Sequence, residues 1–480
     1  MSKKTLNAEN LIDLGVEKLA ELLLEISRDS ADMKRRLRLE LIHGLGAKEL
    51  ASEIRKRLTT IKRSQSFIDW KEQRTFVREL ETQLGMIKDK IAPDHPTLAF
   101  DLLWQFMALA ESVYVRVDDS DGDVGSVFHY VLTLLEEIGP NIGIPPTVLA
   151  EKVFEAVLDN DYGQYDGLIH YLGPALGEMG LKVLKSIVQN YENEPLTEKT
   201  HLEDGPILIT GGGGGYPLDH SRQEEYKAWL VRDCLQQIAD QLGDVDAYIA
   251  QYTPEDLLNP RLAVKSATRL LAVERNTEAL NILTSSRDLE GSDYFPREWN
   301  FSYAEALEKL GRTEELRNFR WQCFEKALDT THLRDLLKSL PDFDDIETEE
   351  RAKDLAMQYP NFNSALEFFL EWPDLRRAAD LIVTRFAELD GNMYYSLTPA
   401  ADRLQGDFSL AAVLARRAMI NHTLERGKAT RYKHSVRHLL ECQSADNEID
   451  DYKGFATHGE FEAQLRANHS KKASFWSKLD

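Results

Sequence analysis

At 480 residues the chain exceeds the ~250–300 residues at which a single hydrophobic core stops growing, so it folds as several domains or as an extended array. With 42% hydrophobic and 29% charged residues it has apolar surface enough to bury, which excludes global disorder. The 58 Lys and Arg against 81 Asp and Glu give a net charge of −23, so the molecule as a whole repels nucleic acid and anionic lipid, and any polyanion site has to be local.

Ile12, Val16, Leu19, Leu23 and Ile26 recur at helical spacing and predict one amphipathic helix that starts near Asn7 as its cap and needs a partner for its apolar face. The opening Met1-Ser2-Lys3-Lys4-Thr5-Leu6-Asn7 leads into this charged helix rather than into a signal core, and no apolar run reaches the ~18–20 residues of a membrane span. Cys234, Cys323 and Cys442 are odd in number and far apart, which argues against a disulfide framework and leaves no Cys-x-x-Cys pair for zinc. Together these features predict a cytoplasmic chain with no membrane partner.

Helices follow over 31–43, 47–63 and 67–90, and they complete a basic N-terminal region, 1–95. From Arg28 to Lys90 stand 16 basic and 10 acidic residues. Lys34, Arg35, Arg36, Arg55, Lys56, Arg57, Lys62 and Arg63 carry half of the positive charge, and Phe67, Trp70 and Phe76 are interleaved downstream with Lys71, Arg74 and Arg78. Cations alternating with aromatic rings are the composition of a nucleic-acid groove. The competing reading is a solvated face, because helical projection spreads the charges over more than one side and the acidic remainder offers an intramolecular counterpart.

A middle helical domain, 96–193, has helices predicted at 97–116, 125–138, 146–159 and 178–192. Asp118, Asp119, Asp121 and Asp123 suggest cation ligands, but an EF-hand count from Asp119 puts Val124 where the loop needs Gly and Tyr130 where it needs Glu. An acidic loop that complements the positive end of the next helix is the preferred reading. Tyr162, Tyr165 and Asp166 stand on a glycine-bearing stretch read as an interaction loop. They lack an accompanying base or nucleophile, and turn formation accounts for them.

Residues 194–220 break the helical rhythm with Pro195, Pro206, Pro217 and the run Gly211–Gly215 around one β-like stretch, Ile207–Thr210. Tyr216-Pro217 stands where a phosphate loop would carry Lys and Ser or Thr, so this is a linker and the preferred domain boundary. Beyond it, 221–480 reads as helix pairs joined by short turns: Trp299–Leu310 with Glu314–Leu328, and Leu410–Arg426 with Thr430–Cys442. The predicted fold class is therefore all-α, with helical bundle regions followed by a tetratricopeptide-like α-solenoid in which each pair buries its apolar face on the next. Within the last pair His434, His438 and Cys442 share a helix face and are the most metal-like group in the chain. Three side chains over two turns cannot all reach one ion, so a site would need His422 from the preceding helix. Hydrogen-bonded histidines in a packed pair are the simpler reading.

Tyr162-Gly163-Gln164-Tyr165-Asp166-Gly167, Ala239-Asp240-Gln241-Leu242-Gly243-Asp244-Val245-Asp246-Ala247-Tyr248, Leu340-Pro341-Asp342-Phe343-Asp344-Asp345 and Arg431-Tyr432-Lys433-His434 resemble a bacterial domain-of-unknown-function family of helical proteins, along a match running from the first helix to Phe475-Trp476. The chain is also weakly similar to the helical regions that accompany SWIM zinc fingers, but it lacks the Cys-x-Cys…Cys-x-His signature, so the finger and its nucleic-acid association do not carry over. The resemblance implies a helical fold and supplies no activity to carry over. Without a catalytic or cofactor motif, the leading expectation is a non-enzymatic scaffold or adaptor with a protein or peptide partner and no cofactor. The alternatives are nucleic-acid binding through residues 28–90, or an enzyme with its site at the 118–125 or 162–166 loops.

Overall fold

The computed structural model describes residues 6–28, 30–44, 46–195, 207–210, 214–217, 220–287 and 297–479. Their regular secondary structure is helical, except for an antiparallel hairpin of Ile207–Thr210 with Gly214–Pro217 and a single bridge between Ile68 and Val117. The β-like stretch expected at 207–210 is thus one arm of a hairpin, and residues 211–213 of the glycine run lie outside the described residues. No helix among the described residues is long and apolar enough to cross a membrane.

Contacts divide the chain into two compact units, Met1–Asp256 and Leu257–Asp480. In the first, Asn7 caps a helix as expected, its side chain accepting from the Asn10 N–H at 2.9 Å. That helix, Ala8–Ile12, stops early, and the chain turns through Gly15 at φ 81° before Val16–Ser27 begins. The apolar face drawn from the sequence stays in solvent: Ile12, Val16, Leu23 and Ile26 are all exposed. The helices Ala31–His43 and Ala47–Arg63 fall where the periodicity puts them, the second burying Leu50, Ile54, Leu58 and Ile61. The stretch expected at 67–90 starts as extended chain, with Ile68 N–H donating to the Arg116 carbonyl at 2.9 Å. Asp69 then caps the helix Trp70–Met86 by accepting from the Lys71 and Glu72 N–H groups, and a π-helical turn, Ile87–Ile91, ends it.

The helix expected at 97–116 is two, Pro96–Met107 and Ala110–Tyr114. Asp123–Ile138 begins where the acidic loop meets it: Asp119 accepts from the Val124 and Gly125 N–H groups, each at 2.8 Å, so this carboxylate satisfies two donors at the positive end of the helix. After Pro146–Leu158 comes Leu168–Asn193, which starts before the expected residue 178 and is kinked at Gly177. Pro174 and Gly173, which the sequence leaves between predicted helices, lie inside this one, with the Gln241 side chain folded over Gly173. A Cβ on it would lie 1.9 Å from Gln241 Oε1, on the helix His220–Leu242 that packs alongside. Leu230, Cys234 and Ile238 of that helix join Leu172, Leu184 and Val188 in one core. For this reason the break between units falls after residue 256 rather than at 194–220, and the helix beyond the expected boundary belongs to the first unit.

The second unit is a succession of helices in which each packs chiefly on the next one or two in the chain, from Pro260–Ala272 through Thr313–Ala327 to Tyr432–Ser444. Its core falls into separate clusters. Ser409–Glu425 feeds two of them, giving Ala411, Ala412, Ala415 and Met419 to one and Val413, Ile420 and Leu424 to the other. A helix with apolar residues on two faces must be covered on both, and its alanines let the neighbours come close.

Candidate functional site

A cavity of about 520 Å³ opens in the second unit beside this buried helix. Gly391, on the preceding turn, and Tyr394, Tyr395, Thr398 and Pro399, on the helix Tyr394–Leu404, form one side. Met419 and Thr423 come from Ser409–Glu425; Arg431, His434, Ser435, Arg437 and His438 come from the start of Tyr432–Ser444 and the residue before it. The turn at Gly391 sits so tightly on the buried helix that a Cβ there would lie 2.0 Å from the Ala418 carbonyl oxygen. Only glycine permits that approach.

Among the described residues no carboxylate lines the cavity. The Arg431 guanidinium lies 4.4 Å from the Tyr394 ring centre, and its Nη1 donates to Asn392 Oδ1 at 3.3 Å. Among the described residues it has no carboxylate partner, so its charge is not cancelled. Arg437 is partly offset by Glu441, 3.5 Å away. His438 is buried, with Nδ1 3.1 Å from Glu441 Oε2; burial holds its pKa below the usual histidine value although Glu441 pulls the other way. Glu441 also pairs with the fully buried Arg416 at 2.9 Å, and Arg416 reaches Asp402 and Gln405 on the helix Tyr394–Leu404 and the residue after it. Ser435 lines the cavity one turn before His438, but no hydrogen bond joins the two, so a nucleophile–base pair is not formed.

The three histidines singled out from the sequence come to different settings. His434 and His438 share the cavity. His422 does not complete them as a ligand set: its Nε2 is 3.2 Å from the Lys428 ammonium and its Nδ1 is 3.7 Å from Asp390. Cys442 is fully buried against the Val413 carbonyl, and burial pushes its thiol up to about 12. Among the described residues no three His, Cys, Asp or Glu side chains are grouped to hold a metal ion. Tyr394, Tyr395 and Met419 were not legible as site residues, because their meeting with Arg431 depends on which helices pack.

The basic residues of the first unit also separate. Arg35 and Arg57 converge on Glu79, the former at 2.8 Å. Lys34 donates to the Arg28 carbonyl and Lys56 pairs with Glu53. Arg36, Lys62 and Arg63 are exposed and Arg55 is half-buried. The counterpart expected from the acidic body is thus supplied, for Arg35 and Arg57, from within the basic segment itself.

The loop at 162–166 is occupied by its own contacts. Tyr165, expected on an interaction surface, is instead a core residue near the Trp104 ring, its phenol pushed up to about 12 by burial, with Asp159 adding to the shift. Tyr162 stacks on Tyr114 at 5.3 Å, and Asp166 accepts from Asn160 at 2.8 Å.

No curated protein and no solved structure matches the chain. A model of a family of unknown function, DUF6880, matches residues 1–478, and the chain belongs to that family.

Proposed function

We propose that the chain is a non-enzymatic binding protein, and that the cavity of its second unit receives an acidic segment of a partner protein. The observation that carries this reading is a pocket lined, among the described residues, by two arginines and no carboxylate, on a chain of net charge −23. Arg431 is held by an amide and an aromatic ring, so its forked donors and full charge are available to a carboxylate. Tyr394, Tyr395, Pro399 and Met419 supply apolar walls, and Met adapts its shape to what it meets. Both tyrosines are about half exposed, so a ligand longer than the cavity finds further contact at its rim. The volume is within the ~300–1,000 Å³ usual for ligand sites. Helices packed in series support the tetratricopeptide-like scaffold reading, since such arrays use extended surfaces rather than a chemical centre.

Selection of a random heptapeptide phage library on the purified chain tests this. The expected consensus pairs Asp, Glu or a free C-terminal carboxylate with an aromatic or Leu residue. Enrichment should be lost on Arg431→Ala and weakened on Arg431→Lys, which keeps the charge but not the fork, with circular dichroism showing both variants folded. A basic consensus, or equal enrichment on the native chain and Arg431→Ala, would overturn the proposal.

A further inference from the structure

A second cleft, of about 590 Å³, lies wholly within the first unit. Arg35, Arg57, Lys71 and Arg116 line it against two carboxylates, Glu72 and Glu79. Glu79 is shared by Arg35 and Arg57, which leaves one of those charges over. Arg116 is buried, and its three nitrogens donate only to the neutral carbonyls of Ser112, Ser66 and Ile61 while its guanidinium lies 5.4 Å from the Phe76 ring centre. Burial and the nearby Arg57 both lower its pKa, as they do for a cation without a counter-ion. Lys71 has the ring of Trp70 at 5.3 Å and, among the described residues, no carboxylate.

Phe67, which lines the cleft, is 64% exposed, and Trp70, the neighbour in sequence of the lining residue Lys71, is 74% exposed. Lys62, Arg63 and Arg74, close to them in the chain, are exposed without carboxylate partners among the described residues. A purely acidic peptide run would use the cations and leave the rings idle. Duplex DNA or RNA would likewise offer phosphates but keep its base faces stacked inside. Rings and cations together suit a strand whose phosphates alternate with unpaired bases. Screening over ~8–10 Å confines the repulsion from the acidic remainder. We propose that the first unit binds single-stranded nucleic acid, phosphates lying along Arg57, Lys71 and Arg63 and bases stacking on Phe67 and Trp70.

The test is fluorescence anisotropy of the full chain with fluorescein-labelled (rU)12 and (dT)12, a 12-base-pair duplex and a deca-glutamate peptide, from 25 to 250 mM KCl. Single strands should bind most tightly, and log K should fall against log[salt] with a slope of about −2, as for three phosphates. Trp70→Ala and Phe67→Ala, both at exposed side chains, should each weaken binding on the order of tenfold. Arg63→Ala should flatten the salt slope by about 0.7. Arg431→Ala, in the other unit, should change nothing, which keeps this proposal separable from the peptide site. Absence of saturable oligonucleotide binding at 25 mM KCl would overturn the inference. So would deca-glutamate or duplex bound as tightly as the single strands, or Trp70→Ala binding like the native chain.

Discussion

Arg416 Nε lies 2.9 Å from Glu441 Oε2, tying the most buried helix of the second unit to the helix that carries His434, Arg437 and His438. Arg416 is 1% exposed and Glu441 is partly open to solvent, so the two partners are not equivalent. Removing the Glu441 carboxylate leaves a buried guanidinium with Asp402, itself mostly in solvent, as its remaining counter-ion, whereas removing the guanidinium leaves a carboxylate that still has His438, Arg437 and water.

Glu441→Ala is therefore expected to destabilise the second unit by about 3 kcal/mol, and Arg416→Met by clearly less, because Met fills much of the same space without a charge. Urea unfolding followed by circular dichroism measures both. Equal losses for the two variants would contradict the asymmetry.

Stability should also depend on pH. His332, His438 and His458 are buried, and burial lowers the pKa of each. In the unfolded chain histidine titrates near 6.5, so below that pH the unfolded state takes up protons that the folded state resists. The contribution is complete above about pH 6.5 and is lost progressively as pH falls through the depressed native values. The urea midpoint should be lower at pH 5.5 than at 7.5, and His458→Gln should narrow the gap. A midpoint indifferent to pH over that range would refute it.

Gly391→Ala places a methyl group against the Ala418 carbonyl and His422 Cβ, which side-chain rotation cannot relieve because one of the obstacles is backbone. The expected cost is about 1–3 kcal/mol, with loss of peptide enrichment at the cavity. Gly459→Ala meets nothing within 4 Å on the helix His458–His469 and serves as the control, neutral or stabilising by up to about 1 kcal/mol. Thermal melts of the two variants separate these outcomes.

Helix identity was written into local residues. The helices at 31–43 and 47–63 have the bounds expected of them, because apolar spacing and flanking glycines act within a few residues. Asp119 as a helix-capping carboxylate was readable for the same reason, its partners Val124 and Gly125 being five and six positions away. Periodicity announces that a face is buried without naming what covers it. Gly173 therefore looked like a turn until the helix carrying Gln241 was seen against it. The exposed face of Ile12 and Val16 looked like core until no neighbour among the described residues covered it.

The basic charges and the three histidines were visible as residue types, but their sorting was not. That Arg35 and Arg57 share Glu79, that Lys428 occupies His422, and that Arg431 meets Tyr394 without a carboxylate are pairings across 6 to 44 positions of chain. Such pairings are settled by how helix surfaces fit and by which polar groups must be satisfied once water is excluded, quantities that exist only after the helices have packed.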